Sequence, residues 1–298
     1  VFAAFEVGRD RCYVTPATLP VARFATGYAC ASAERRRVDQ TNSATQDALI
    51  VAQFGSRSTQ YVASTVHSQG EDLQQIAALA ATAGRVRVLD LGCGGGHVSF
   101  TVAPHVADVV AYDLSTEMLA TVASVAKERG LENVGTVAGS VTSLPFADGT
   151  FDLVLTRYSA HHWDDIAKGL AEARRVLRDS GQAVFIDVAA PARPVLDTFL
   201  QAIEVFRDPS HVRDYSPREW EQLLTQAGFR IERTVMRRLH LEFASWIERM
   251  NTPQVRAEAI RSLQQTLSND VVGYFEITPR GDFTVDTIDI LASASSAQ

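Results

Sequence analysis

The chain carries 298 residues, enough for one large domain with additions. Hydrophobic residues make up 46% and charged residues 21%, a globular balance that excludes disorder throughout. A net charge of −7 argues against a broad electropositive face for nucleic acid, and no apolar run reaches the length of a membrane span.

Residues 1–40 scatter Arg9, Arg11, Arg23 and Arg35-Arg36-Arg37 among Pro, Ala and Thr without a period, and read as a poorly ordered N-terminal extension. Arg23 interrupts the only candidate for the apolar centre of a signal peptide, so a cytoplasmic protein is expected. Cys12, Cys30 and Cys93 stand apart, with no histidine cluster at metal-ligand spacing, and no metal is expected.

A folded domain over residues 41–292 then begins with helices at 45–66 and 71–82, the second ended by Gly84. Residues 86–91 predict a buried strand, 92–96 a glycine turn, and 97–103 a helix closed by Pro104. Strands at 109–112, 134–138, 151–156 and 183–188 follow, with helices at 115–129 and 164–177 between them. That alternation predicts an α/β fold, a doubly wound parallel sheet covered on both faces.

Beyond Pro191 the rhythm breaks. Helices are expected at 195–207, 216–226, 244–250 and 255–267, a loop at 208–215, and strands at 231–235 and 283–291. The stretches near 191–215 and 243–270 read as a small helical cap, and the tail from Ala292, with 293–298 outside the domain, as frayed.

The chemical signal lies in Val88-Leu89-Asp90-Leu91-Gly92-Cys93-Gly94-Gly95-Gly96, with Asp113 closing the next strand. Glycines let a strand-to-helix turn approach a ligand without Cβ interference, and an acid at the second strand end can accept from both ribose hydroxyls. Together they describe an adenosine site. The third glycine of the dehydrogenase fingerprint is missing, and Asp90 suits the ammonium of a methionine moiety while it would repel a pyrophosphate. S-adenosyl-L-methionine therefore fits better than NAD.

Asp90 to Gly96, Ala111-Tyr112-Asp113-Leu114-Ser115 with Met118-Leu119, Ser143-Leu144-Pro145-Phe146 and Phe151-Asp152-Leu153-Val154 resemble the successive motifs of class I methyltransferases of the ubiquinone and menaquinone biosynthesis type. Arg157-Tyr158-Ser159-Ala160-His161-His162-Trp163 and the stretch from Arg207 to Arg213 resemble the YafE-like bacterial branch more closely still. The resemblance spans about residues 43–292. It implies a Rossmann-like seven-stranded sheet with the last strand antiparallel, and methyl transfer to a small-molecule acceptor.

Carried over, the resemblance puts Asp90, Gly92 and Gly94 on the methionine and ribose side, Asp113 on the ribose hydroxyls, and Leu114 and Met118 beside adenine. Cys93, in the same loop, needs only to be small. Where many relatives place an aspartate against the adenine amino group, this chain has Gly139-Ser140-Val141, leaving Ser140 or the backbone at Val141 for that contact. Tyr61, which shares a helix face with Phe54, would lid the methionine end.

His161 and His162 follow the fourth strand and are the candidate general bases, against a plain capping or packing role. His211 and Arg213 are candidates for binding the acceptor, or else for holding their loop through Asp208 or Asp214. Arg157 has the same ambiguity between a ligand carboxylate and a structural pair. A non-catalytic adenosyl-ligand binder and an NAD-dependent oxidoreductase are the alternatives, and homodimer formation is left open.

Overall fold

The computed structural model describes residues 45–54 and 70–295. Strands β1 (Arg87–Leu91), β2 (Asp108–Asp113), β3 (Val134–Ala138), β4 (Phe151–Arg157), β5 (Leu177–Ala189), β6 (Phe229–Leu241) and β7 (Phe283–Ala294) form a seven-stranded sheet in the order β3-β2-β1-β4-β5-β7-β6. The first five pair in parallel, and β7 lies antiparallel between β5 and β6. The chain runs outward from β1 through β2 to β3 and then returns to β4 on the other side, so β1 and β4 flank the switch point where such sheets hold ligands.

The helices are α1 (Gln46–Phe54), α2 (Glu71–Ala83), α3 (His97–Val102), α4 (Thr116–Glu128), α5 (Ile166–Val176), α6 (Pro194–Arg207), α7 (Pro217–Gln226), α8 (Phe243–Met250), α9 (Gln254–Gln265) and α10 (Asn269–Tyr274). The pleat of β1 sorts its side chains between the two layers. Leu89 and Leu91 join Tyr112, Phe151, Phe185 and Trp220 on one face, while Val88 joins Leu73, Ile76, Val98 and Ile186 on the other. Asp90, two residues from Val88, therefore points toward α3. A third apolar cluster unites α6, α8, α9 and α10 with the ends of β6 and β7 through Phe199, Trp246, Ile260, Phe275 and Phe283.

Several expectations are corrected. β6 is far longer than the 231–235 stretch, because its polar residues alternate as the solvent face of an edge strand while β7 supplies a complete ladder. The tail is not frayed at Ala292: β7 runs to Ala294, with Ser293 paired to Gln182 on one side and Arg230 on the other. Helix α10 was not predicted, and β5 begins at Leu177, with a bulge between its pairs to Phe151 and Leu153 absorbing the Asp179-Ser180-Gly181 turn. The expected helix to residue 66 is described only through Phe54, so its remainder, Tyr61, and the 1–40 extension lie outside the described residues.

Candidate functional site

A single cleft runs over the carboxyl ends of β1, β2, β4 and β5 and is walled at its far end by α1, α6 and α8. Asp90, Gly92, Cys93, Gly94, Asp113, Leu114, Met118, Ser140, Val141 and Arg157, all expected at the cofactor, line one half. Gly92 and Gly94 hold φ of +74° and +48°, the left-handed region that favours glycine. A Cβ on Gly92 would collide with Ser159, whereas one on Gly94 would meet no protein atom within 4 Å, so that loop face is left to a ligand.

Asp113 anchors this turn. Its Oδ2 accepts from Gly94 N at 2.9 Å and its Oδ1 from Ser115 N at 3.0 Å. Each oxygen keeps a further lone pair, which two ribose hydroxyls would take. Helix α4 is capped by Ser115, whose Oγ accepts from Met118 N. Asp90 is wholly buried, and its Oδ2 accepts from Ser99 N at 2.9 Å and Ser99 Oγ at 2.6 Å. Burial, only partly offset by those bonds, pushes its carboxyl up to about 7.

Ser140 and Val141 follow β3, and Tyr112 OH donates to the Ser140 carbonyl at 3.0 Å, holding that turn over the cleft. The Cys93 thiol is pushed well up by burial and the acids of Asp113 and Asp90, which leaves it protonated and unreactive. Arg157 pairs with Asp72 at 2.6 Å, tying the start of α2 to the end of β4. It is thus both a cleft wall and a structural tether.

The other half holds a cluster of imidazoles and acids. His161 Nδ1 lies 2.5 Å from Asp187 Oδ1 at the end of β5, and the His161 backbone N–H donates to Asp187 Oδ2 at 3.2 Å. Burial alone would strip the ring of its extra proton, but Asp187, with Asp214 and Glu204 beyond it, overrides this and moves His161 up to about 9. His162 is the opposite case: burial and the charge on His161 push it well down. Its Nδ1 lies 3.1 Å from the Ser210 carbonyl, an acceptor only, so Nδ1 carries the hydrogen and Nε2 keeps its lone pair.

His211 and Arg213 do not line this cleft. His211 is buried behind it, with Nε2 3.1 Å from Gln201 Oε1 and a proton affinity pulled far down by burial and by His161. Arg213 is engaged by Glu219 at 3.0 Å and Asp197 at 3.3 Å. Both side chains are engaged beside their loop and outside the cleft. The fold also brings ligand atoms of His161, Asp187 and Asp214 within 4.8 Å of one another, which linear spacing does not reveal. The 2.5 Å His161–Asp187 contact is a charge-assisted hydrogen bond, closer than two ligands of one ion stand.

The methyltransferase domain family matches residues 89–185. The Escherichia coli K12 protein YafE is 45% identical over 197 residues, covering 66% of this chain and 95% of its own. The Bacillus subtilis 168 methyltransferase YcgJ is 35% identical over 225 residues, 76% of this chain and 89% of its own. This chain belongs to the class I methyltransferase family. The crystal structure of YcgJ superposes on this methyltransferase with a TM-score of 0.72 at 33% identity, covering 76% of this chain and 99% of that one. BH2331 of Bacillus halodurans C-125 does so at 0.74 and 31%, covering 76% and 100%. A demethylmenaquinone methyltransferase of Chlorobaculum parvum is 29% identical over 163 residues, 48% of this chain and 66% of its own.

The methyltransferase uses S-adenosyl-L-methionine. The cofactor half fits that group by its own chemistry: open loop at Gly94, spare lone pairs on Asp113, and a buried acid at Asp90. Sequence reasoning missed Asp72, Asp187 and Glu204, and named Asp214 only as a loop partner. Asp187 had a legible signal, since like Asp90 and Asp113 it is an acid near the carboxyl end of a buried parallel strand.

Proposed function

We propose that the enzyme methylates a small organic acceptor at oxygen or carbon, with Asp113 holding the ribose, Asp90 the methionine ammonium, and Leu114, Met118, Ser140 and Val141 the adenine. One observation carries this reading: the cleft passes without a break from the glycine loop to His161 and His162, and ends among Val188, Leu239, Leu241, Trp246 and Met250. An enclosed apolar end with a few convergent polar groups suits a small molecule, and the net charge of −7 disfavours nucleic acid. That some relatives bear the name demethylmenaquinone methyltransferase supports an aromatic hydroxyl compound as the first class to try. A cytoplasmic setting accords with the sequence reading.

When bound, S-adenosylmethionine supplies an electrophilic methyl on a sulfonium. The protein's part is to align the acceptor and to handle its proton. Neutral His162 accepts the acceptor's proton through Nε2, and charged His161 stabilises the oxyanion that remains. The low proton affinity of His162 owes much to His161, so an anion formed beside the pair offsets that charge and strengthens the base.

Calorimetric titration with S-adenosylmethionine and S-adenosylhomocysteine, alongside Asp113→Ala and Gly94→Val, tests the cofactor half. Micromolar binding lost in both variants is expected. A tritiated-methyl assay against phenols and hydroquinones then tests the acceptor half, with His162→Gln expected to lower turnover by about 100-fold or more. Turnover on such compounds unchanged in His162→Gln would remove the histidine from the reaction.

A further inference from the structure

We infer that Asp187 is the positioning residue of the acceptor site: from the end of β5 it fixes the His161 ring through Nδ1 and supplies the negative charge against which His161 keeps its second proton. The inference deepens the acceptor reading above and rests on it for its functional consequence.

The geometry is that of a built pair. Asp187 is 2% exposed, and its carboxylate is oriented by two backbone donors besides the ring: Val188 N at 2.9 Å on Oδ1 and His161 N at 3.2 Å on Oδ2. With Nδ1 bound to a carboxylate, the ring can neither flip nor slide, and Nε2 is the nitrogen left for other contacts. The His161 carbonyl in turn accepts from Val212 N at 2.8 Å and Arg213 N at 3.2 Å, so the loop behind the pair is fastened to it.

Charged and titratable groups face His161 from every neighbouring element. Asp187 acts on it from β5, Glu204 from α6 and Asp214 from the loop after α6, the rings of His162 and His211 lie 4.2 and 5.6 Å away, and Arg207, Asp208 and Arg249 line the same cleft. Of these, Asp187 alone is hydrogen-bonded to the ring. The two other imidazoles are bonded elsewhere: His162 Nδ1 to the Ser210 carbonyl, and His211 Nε2 to Gln201 Oε1 with Asp214 3.8 Å away. Burial and Glu204 raise the Asp214 carboxyl well above the ordinary carboxylate range, which makes it a weaker counter-ion than the hydrogen-bonded Asp187. The positive charge presented to the acceptor is therefore set from inside the sheet, and solvent pH around neutrality does not change it.

The test is a heteronuclear NMR titration of ring nitrogens in the S-adenosylhomocysteine complex, with His161 assigned by His161→Gln. In the wild type His161 is expected to stay doubly protonated at neutral pH, with its midpoint near 9. In Asp187→Asn the midpoint should fall by about 2 pH units or more, since the largest influence opposing burial is then gone, while Asp187→Glu keeps it above the ordinary value near 6.5. Affinity for S-adenosylhomocysteine should stay within about twofold in both, as Asp187 lies outside the cofactor half. A neutral His161 at pH 7 in the wild type, or an unmoved midpoint in Asp187→Asn, overturns the inference. The wild-type measurement decides it even if Asp187→Asn does not fold.

Failure of the acceptor reading looks different. 4-Nitrophenol, a coloured phenol, serves as the probe: bound to the wild-type complex it should ionise at lower pH than in solution, and less so in Asp187→Asn. A normal His161 titration with no 4-nitrophenolate bound would leave the Asp187 pairing standing and remove the phenolic acceptor.

Discussion

Asp113 accepts one backbone hydrogen bond on each carboxylate oxygen, and the same two atoms have lone pairs left for a ribose. Removing it loses ligand contacts and loosens the turn at Gly94 together. Two charge-assisted hydrogen bonds are worth about 3 kcal/mol, so Asp113→Ala should weaken S-adenosylmethionine binding by about 100-fold or more by calorimetry. Asp90 adds a pH dependence. Its carboxyl is raised to about 7, and only the ionised form attracts an ammonium, so cofactor affinity should fall as pH drops below that value, by up to about tenfold per unit. In Asp90→Asn the affinity should be weaker at pH 7 and flat below it. A wild-type affinity constant from pH 7 down to about 5 would separate Asp90 from the ammonium.

At the scale of elements, the strand ends explain what the sequence made legible. Asp90, Asp113 and Arg157 sit at or beside the ends of β1, β2 and β4, where hydrophobic runs stop and a glycine or acid marks the stop. Local signals of that kind were enough for the cofactor half. The acceptor half was read only at His161 and His162, because the rest is assembled from side chains distant in sequence: Asp187 on β5, Glu204 on α6, Asp214 in a loop, and Trp246 on α8. His211 and Arg213 were singled out by residue type and by their place in the loop before α7, and partners invisible in sequence, Gln201, Asp197 and Glu219, hold them behind the cleft. Most of the length of edge strand β6 beyond 231–235 escaped because its polar alternation matches solvent as well as it matches a loop.

One helix end ties the loop to the cap. Ser216 and Glu219 form a reciprocal capping box at the start of α7, and Glu219 also receives Arg213. Ser216→Ala removes the acceptor for Glu219 N and should lower unfolding free energy by about 1 kcal/mol in urea. Because Glu219 still reaches Arg213, cofactor affinity should be unchanged in that variant.

For the whole molecule, the buried groups set opposing slopes of stability against pH. His162 and His211 are held neutral in the fold, so each contributes stability above the ordinary histidine value that is lost as pH falls. Asp90 and Asp214 are raised, so each contributes stability at low pH that is lost as pH rises through its folded value. Between about pH 6.5 and the lower histidine values the two histidines bind more protons unfolded, the two acids more protons folded, and the net slope is near zero. Smaller upward shifts at Asp113 and Asp289 act with the acids. Asp214→Asn deletes one acid from that balance without touching the histidine count. Its folded state then binds fewer protons than the wild type's, so stability should fall more steeply than in the wild type from pH 6 to 5, by up to about 1.4 kcal/mol for each unit. Urea titrations across that range read the slope directly. Parallel curves for the two proteins would mean that Asp214 is ionised in the fold, and that the charge balance around His161 is held by some other group.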